Sequence, residues 1–214
     1  MREIILAATV TFLSVFILQF FCIFVKWEYD TKKHRPSIFF KSAASLLPSI
    51  FAVFYINSLS EALLFAGLLI CPICDIIIEK SVFGGIASFM VAQILFSVSF
   101  IIEYGFGPVS LLTLFFSMTI IFFVIKYGMT HERLKAVASV YGLVISFMLA
   151  AAIPSFSLHT TSSLFTVLGA SLFLFSDGVL AVNLSRKPSP QADFLIMTTY
   201  YLSLSFFSFS IVFS

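Results

Sequence analysis

The fold class this sequence predicts is all-α, a polytopic membrane protein built as a bundle of eight transmembrane helices. Three observations carry that reading. The 214 residues are 60% hydrophobic and only 10% charged, where soluble domains carry about 25% charge. Eight apolar stretches, each near the roughly 20 residues that cross the hydrocarbon as a helix, use up almost the whole chain. The connections between them are short, so residues 1–214 read as one transmembrane domain with no room for a soluble one.

The helices are expected at about 3–25, 37–56, 60–79, 81–102, 108–127, 134–153, 161–184 and 191–213. The first run, Ile4 to Val25, is longer than a signal-peptide core and has no small-residue cleavage site, so it reads as a retained helix. Cys22, Cys71 and Cys74 sit in apolar segments and offer no disulfide framework. The loop after the first helix holds Lys26, Lys32, Lys33 and Arg35. The later loops on that side hold Lys80, then Lys126, Arg133 and Lys135, then Arg186 and Lys187. Only Arg2 marks the opposite face, so by the positive-inside rule the basic loops are expected in the cytoplasm and both termini across the membrane. Trp27, Tyr29, Tyr127 and Tyr104 fall at helix ends, where amphipathic rings anchor a span at the interface.

Two carboxylates break the apolar pattern. Asp177 lies inside the seventh helix and Asp75 inside the third, each eight positions after a glycine, Gly169 and Gly67. An ionisable group inside a membrane segment costs several kcal/mol unless it faces a cavity or a partner, which makes it a functional-site candidate by default. Counted at 1.5 Å per residue from the basic loops, Asp75 lies ~8 Å deep and Asp177 ~13 Å, with Lys41 and Tyr200 at ~8 and ~13 Å. Four polar groups from four helices therefore share one layer. Gly67, Cys71, Asp75 and Glu79 recur every four residues, and Gly169, Ala170, Gly178 and Ala181 surround Asp177. Such small-residue stripes let another helix come close. Pro72 removes one backbone donor just above Asp75 and is expected to bend the third helix. The matching spacing would also suit a duplicated four-helix unit.

Other constellations lead nowhere. Cys71 and Cys74 have CxxC spacing, but a zinc site needs two more ligands at that depth. His34, His131 and His159 all fall in loops, the third on the far side from the first two, so neither a metal site nor a membrane Ser-His-Asp set is expected. Ser176 has no base beside it. Glu61, Glu103 and Asp193 sit at helix ends, where solvation makes them cheap. Lys41 lies inside a helix, where it either snorkels to the interface or holds a phosphate or a carboxylate. Gln93, about 12 residues into the fourth helix, is the deepest strongly polar side chain and is expected to make an interhelical hydrogen bond.

The run Gly169-Ala-Ser-Leu-Phe-Leu-Phe-Ser-Asp-Gly-Val-Leu-Ala-Val-Asn183 resembles the Gly-Ala-x-Leu-Phe-x-x-Ser-Asp-x-x-Leu-Ala-x-Asn signature of the lysoplasmalogenase family, the YhhN-like membrane proteins. Thr199-Tyr-Tyr-Leu202 is similar to that family's Thr-Tyr-Tyr-Leu, and Tyr141 to Met148 to its Tyr-to-Met segment. Asp75, Gly85, Phe89 and Gln93 resemble its third and fourth helices, and Lys41 its lysine at the start of the second. The likeness runs from about residue 37 to the end. It departs from the family at Cys74, Gln93, Phe96 and Leu204, where the family usually has Gly, His, Tyr and Gln.

The resemblance implies an eight-helix enzyme that hydrolyses the vinyl ether of lysoplasmalogens to a fatty aldehyde and a glycerophospho-headgroup, with Asp75 and Asp177 as the essential carboxylates. A vinyl ether is opened by protonating an alkenyl carbon, so one carboxyl kept protonated by burial and one ionised carboxylate suit the reaction. Asp177 is assigned as proton donor and Asp75, nearer Lys41 and the basic interface, as the stabilising base. Tyr200 and Gln93 would orient water or the glycerol oxygens, Ser176 would touch the substrate, and Lys41 with Arg186 or Lys187 would hold its phosphate. The implied partners are a lysophospholipid in the bilayer and the membrane lipids, with no nucleic acid, cofactor or metal. A proton- or cation-coupled transporter and an inactive membrane scaffold are the competing classes.

Overall fold

The computed structural model describes residues 2–28, 37–186 and 188–214. Among them are eight long helices: α1 (Arg2–Glu28), α2 (Ser37–Ala52), α3 (Leu59–Lys80), α4 (Val82–Tyr104), α5 (Pro108–Phe123), α6 (Glu132–Ala152), α7 (Thr161–Ser185) and α8 (Pro190–Val212). A 3-10 turn extends α2 to Tyr55 and α6 to Leu158, and a π turn, Val124–Gly128, extends α5. With these extensions, all eight are long and apolar enough to cross a membrane. The chain is an integral, multi-pass membrane protein. Tyr29, Lys32, Lys33, His34 and Arg35, expected in the first basic loop, lie outside the described residues, as does Lys187.

The starts of α3, α4, α7 and α8 are written into the sequence by side-chain caps. Ser58 accepts the Glu61 backbone N–H at 3.2 Å while the Glu61 carboxylate accepts from Ser58 N–H at 3.1 Å, a reciprocal box that starts α3. A single residue, Ser81, joins α3 to α4. Its N–H closes α3 on the Ile77 carbonyl at 2.8 Å and its hydroxyl accepts the Gly84 N–H at 3.2 Å. That hairpin demands glycine at position 85, where a Cβ would lie 2.5 Å from the Ile78 Cα. Thr160 caps α7, and Ser189 with Pro190 at the first position opens α8. Gly105, at φ +77°, ends α4 in a backbone conformation that favours glycine.

The bundle is organised round α8, two-thirds of which (67%) is buried, whereas only 11% of the α5 span is. Helix α8 packs on α7, α2, α1 and α3, while α5 lies outside against α6. The α7–α8 contact is close because Gly169 faces α8: a Cβ there would sit 2.6 Å from the Phe207 ring and 3.2 Å from the Ser203 carbonyl oxygen. Without a hydrophobic drive between helices inside lipid, this intimacy of small residues is what holds neighbours together. The second half of the same stripe behaves differently from its expected role. A Cβ on Gly178 would meet no atom within 4 Å, so Gly178 borders open space and no helix packs onto it.

Gly169→Val should therefore overpack the α7–α8 contact and cost about 1–3 kcal/mol, seen as a lower thermal unfolding midpoint in detergent. Gly178→Ala should leave that midpoint unchanged.

Candidate functional site

Lys41 enters from the first turns of α2, Asp75 and Glu79 from one face of α3, and Tyr200 from the middle of α8. The Lys41 ammonium lies 3.2 Å from a Glu79 carboxylate oxygen and 3.8 Å from an Asp75 oxygen. The Tyr200 hydroxyl donates to the other Asp75 oxygen at 3.2 Å. Asp75 is 1% exposed. A carboxylate so deep in hydrocarbon needs a compensating charge and donors, and it has both here. Of the two readings left open for Lys41, the structure selects the one in which it holds carboxylates. The Tyr200 ring is wedged edge-on against Phe89 and Phe173, with centroids at 5.9 and 5.6 Å, which aims its hydroxyl at α3.

Asp177 is held differently. Gln93 of α4 donates from Nε2 to Asp177 Oδ2 at 3.1 Å and to the Tyr141 hydroxyl at 2.6 Å, and Tyr141 of α6 itself donates to the same Oδ2. All of these donors are neutral, and the bonds converge on one oxygen. The other carboxyl oxygen has no hydrogen-bond partner among the described residues, so a proton placed on it would point away from the donors. Three helices, α4, α6 and α7, meet in this triangle.

A cavity of about 330 Å³ at the basic-loop end of the bundle joins the two clusters. Asp75, Asp177, Lys41, Glu79, Tyr200 and Ser176 all line it. At its mouth Lys26 of α1 pairs with Asp193 of α8 at 3.0 Å, and Asn183 of α7 donates to the other Asp193 oxygen at 3.1 Å.

Several expectations change. Asp193 is buried and ion-paired instead of idle at a helix end. Arg186 is exposed, donates to the Gly128 carbonyl at 2.9 Å and does not line the cavity, so it is not placed to hold a phosphate there; Lys26 is the second cation in the cavity wall. Lys187 lies outside the described residues. Ser176 reaches the cavity, but its hydroxyl donates to the Ile196 carbonyl at 2.9 Å, tying α7 to α8. Gln93 is fully buried behind Asp177 and off the cavity wall, so it positions the carboxyl instead of touching a ligand. Tyr141 escaped sequence reasoning as a site residue. The available signal was its depth, 9 residues or ~14 Å along α6 from Glu132, which matches that of Asp177.

Where the resembled family has histidine, Gln93 keeps an N–H donor to the aspartate. Phe96 and Leu204, in place of a tyrosine and a glutamine, are fully buried among apolar groups, with Phe96 packed on Phe173 and Phe207. Neither needs a polar partner. Cys71 and Cys74 are buried free thiols, as small apolar residues would be. His131 and His159 are exposed at opposite ends of α6 and its extension, and His34 lies outside the described residues.

Lys41→Met would leave Asp75 and Glu79 facing each other without a cation. It should cost about 3 kcal/mol, as removal of one partner from a buried pair does, and should lower the unfolding midpoint. Adding Asp75→Asn and Glu79→Gln to it should restore most of that loss.

No curated protein and no solved structure matches the chain. A family model does: that of the YhhN family, over residues 37–211. The matched stretch contains α2 to α7, nearly all of α8, and every residue of the two aspartate clusters, leaving Lys26 and the rest of α1 outside. With more than half its length so matched, the chain belongs to the YhhN family.

Proposed function

We propose that this protein is a membrane-embedded hydrolase that cleaves the vinyl ether of lysoplasmalogen-type lysophospholipids, releasing a fatty aldehyde and a glycerophospho-headgroup. One observation carries the reading: two carboxylates from different helices wall one cavity, Asp75 beside a cation and Asp177 among neutral donors. Family membership agrees with it.

The chemistry needs a proton donor and an anion. Asp177 delivers a proton to the alkenyl carbon one bond removed from the ether carbon, and the electrons of the double bond form the new C–H bond. The ether carbon becomes part of an oxocarbenium ion, which ionised Asp75 stabilises electrostatically across the cavity. Asp75 then takes a proton from a water that adds to that carbon, giving a hemiacetal. As the hemiacetal collapses, protonated Asp75 gives its proton to the glycerol oxygen, which leaves as an alcohol, and the hemiacetal hydroxyl loses its proton to Asp177 to become the aldehyde. Both carboxyls return to their starting states and the overall change is addition of one water. The division of labour parallels the two carboxyls of glycosidases. Lys41 offsets one of the two negative charges of Asp75 and Glu79 and favours the ionised form of Asp75 for this work. Tyr141 and Gln93 hold Asp177 by one oxygen and present the other to the substrate, and Tyr200 orients Asp75. Lys26 at the mouth is the cation best placed to meet a phosphate.

Purified protein given a lysoplasmalogen should release aldehyde, and a saturated alkyl-ether analogue should be left intact. Asp177→Asn and Asp75→Asn should each lower aldehyde release by about 10²–10⁴-fold, the usual contribution of a positioned acid or base, without loss of folded protein. Wild-type turnover in either variant would remove its role, and proton- or cation-driven uptake into liposomes with no product would replace the hydrolase by a transporter.

A proton donor has to be protonated to act, so turnover should fall as pH rises through the titration of Asp177. Glutamine cannot exchange a proton near neutral pH whereas histidine can. Gln93→His should therefore change the shape of the pH–rate curve, while Gln93→Leu should lower kcat and keep the shape.

A further inference from the structure

Asp177 borders more than the polar cavity. A small apolar pocket of about 40 Å³ shares Ile78, Phe89, Asp177, Leu180 and Leu184 with it. That pocket in turn shares Ala138, Tyr141, Asp177 and Ala181 with an apolar groove of about 340 Å³ between α5, α6 and α7. Polar cavity, small pocket and groove thus lie side by side along α7 and share wall residues, with Asp177 in the wall of all three. Along α7 the groove runs from Leu174 to Val182, a length of ~12 Å at 1.5 Å per residue. Among the described residues, Tyr141 and Asp177 are the only polar side chains in its wall, and both belong to the aspartate triangle. Its floor is open because Gly178 has no side chain and meets nothing, and its outer wall is α5, the least buried span of the bundle.

We propose that this groove seats the single hydrocarbon chain of the lysolipid, with the headgroup in the polar cavity and the first bonds of the chain beside Asp177. The assignment rests on the hydrolase reading for the identity of the lipid. Adjacency names the occupant: a membrane lipid whose polar end fills the cavity has this groove next to it, with Asp177 in the wall of both. A chain moving from bilayer to groove exchanges one apolar surrounding for another, so the groove adds little affinity. What it contributes is orientation, holding the bond next to the headgroup within reach of the carboxyl. It therefore acts as a chain-length selector.

The test uses full-length protein in lipid nanodiscs and a 1-O-alkyl lysophosphocholine carrying a diazirine at the chain end, which has no vinyl ether to cleave. Photolabel should concentrate on peptides spanning Ile120–Ile125 and Leu174–Val182, and should drop at least tenfold in Gly178→Leu, whose Cβ meets no atom within 4 Å and whose side chain projects into the groove. Ala138→Leu, at a residue that lines both the small pocket and the groove, should act in the same direction. In parallel, the ratio of kcat/KM for a long-chain lysoplasmalogen to that for a short-chain one should fall at least tenfold in both variants. Label spread evenly over lipid-facing segments such as α1, or label and chain-length ratio unchanged in Gly178→Leu, would overturn the groove. Absence of aldehyde from every substrate with wild-type protein would defeat the hydrolase reading, and the labelling pattern would then decide the groove by itself.

Discussion

A carboxylate surrounded by hydrocarbon has no water to lean on, and the arrangement of this bundle follows from that constraint. Asp75 is satisfied only when α2 brings the Lys41 ammonium and α8 brings the Tyr200 hydroxyl to α3. Asp177 is satisfied only when α4 and α6 bring Gln93 and Tyr141 to α7. Six of the eight helices are thus held in register by two acidic side chains. Each alternative register would strand a charge or a donor in the bilayer, at a cost of several kcal/mol.

The two aspartates are held by different physics, and that difference is what gives the site an asymmetry to use. A cation and a second carboxylate surround Asp75, so its neighbourhood is ionic. Neutral donors alone surround Asp177, and they crowd one of its oxygens. Between the two, the aromatic set of Phe89, Phe173 and Tyr200 fills the layer with rings that contact edge to face. These rings pack tightly, keep the walls rigid and carry a single polar group, the Tyr200 hydroxyl, to where it is needed. Helix α1 stands apart. It lies outside the family match, yet it delivers Lys26 to the cavity mouth and Gln19 to the Thr198 hydroxyl of α8. The mouth is therefore partly built by a helix outside the matched stretch, whereas both aspartate clusters lie within it.

The departures from the resembled family have local explanations. Gln93 can stand for a histidine because what Asp177 receives from α4 is an N–H, and an amide supplies one. Phe96 and Leu204 can stand for polar residues because both are fully buried in the apolar core, with Phe96 packed on the Phe173 and Phe207 rings. In each case the substituted side chain matches the company it keeps.

Hydropathy alone determined the eight helices, and α3, α4, α7 and α8 begin directly after the capping residues Ser58, Ser81, Thr160 and Ser189, because apolar length and end chemistry are local properties. Depth counted along the spans determined that Lys41, Asp75, Asp177 and Tyr200 share a layer, because helical rise is fixed. Facing was not legible. Whether Gly178 meets a helix or open space, whether Arg186 or Lys26 reaches the cavity, and whether Asp193 is solvated or paired all depend on rotation and neighbour choice. Only tertiary packing decides those, because in a bilayer both faces of a helix are apolar and no amphipathic pattern reports which one turns inward.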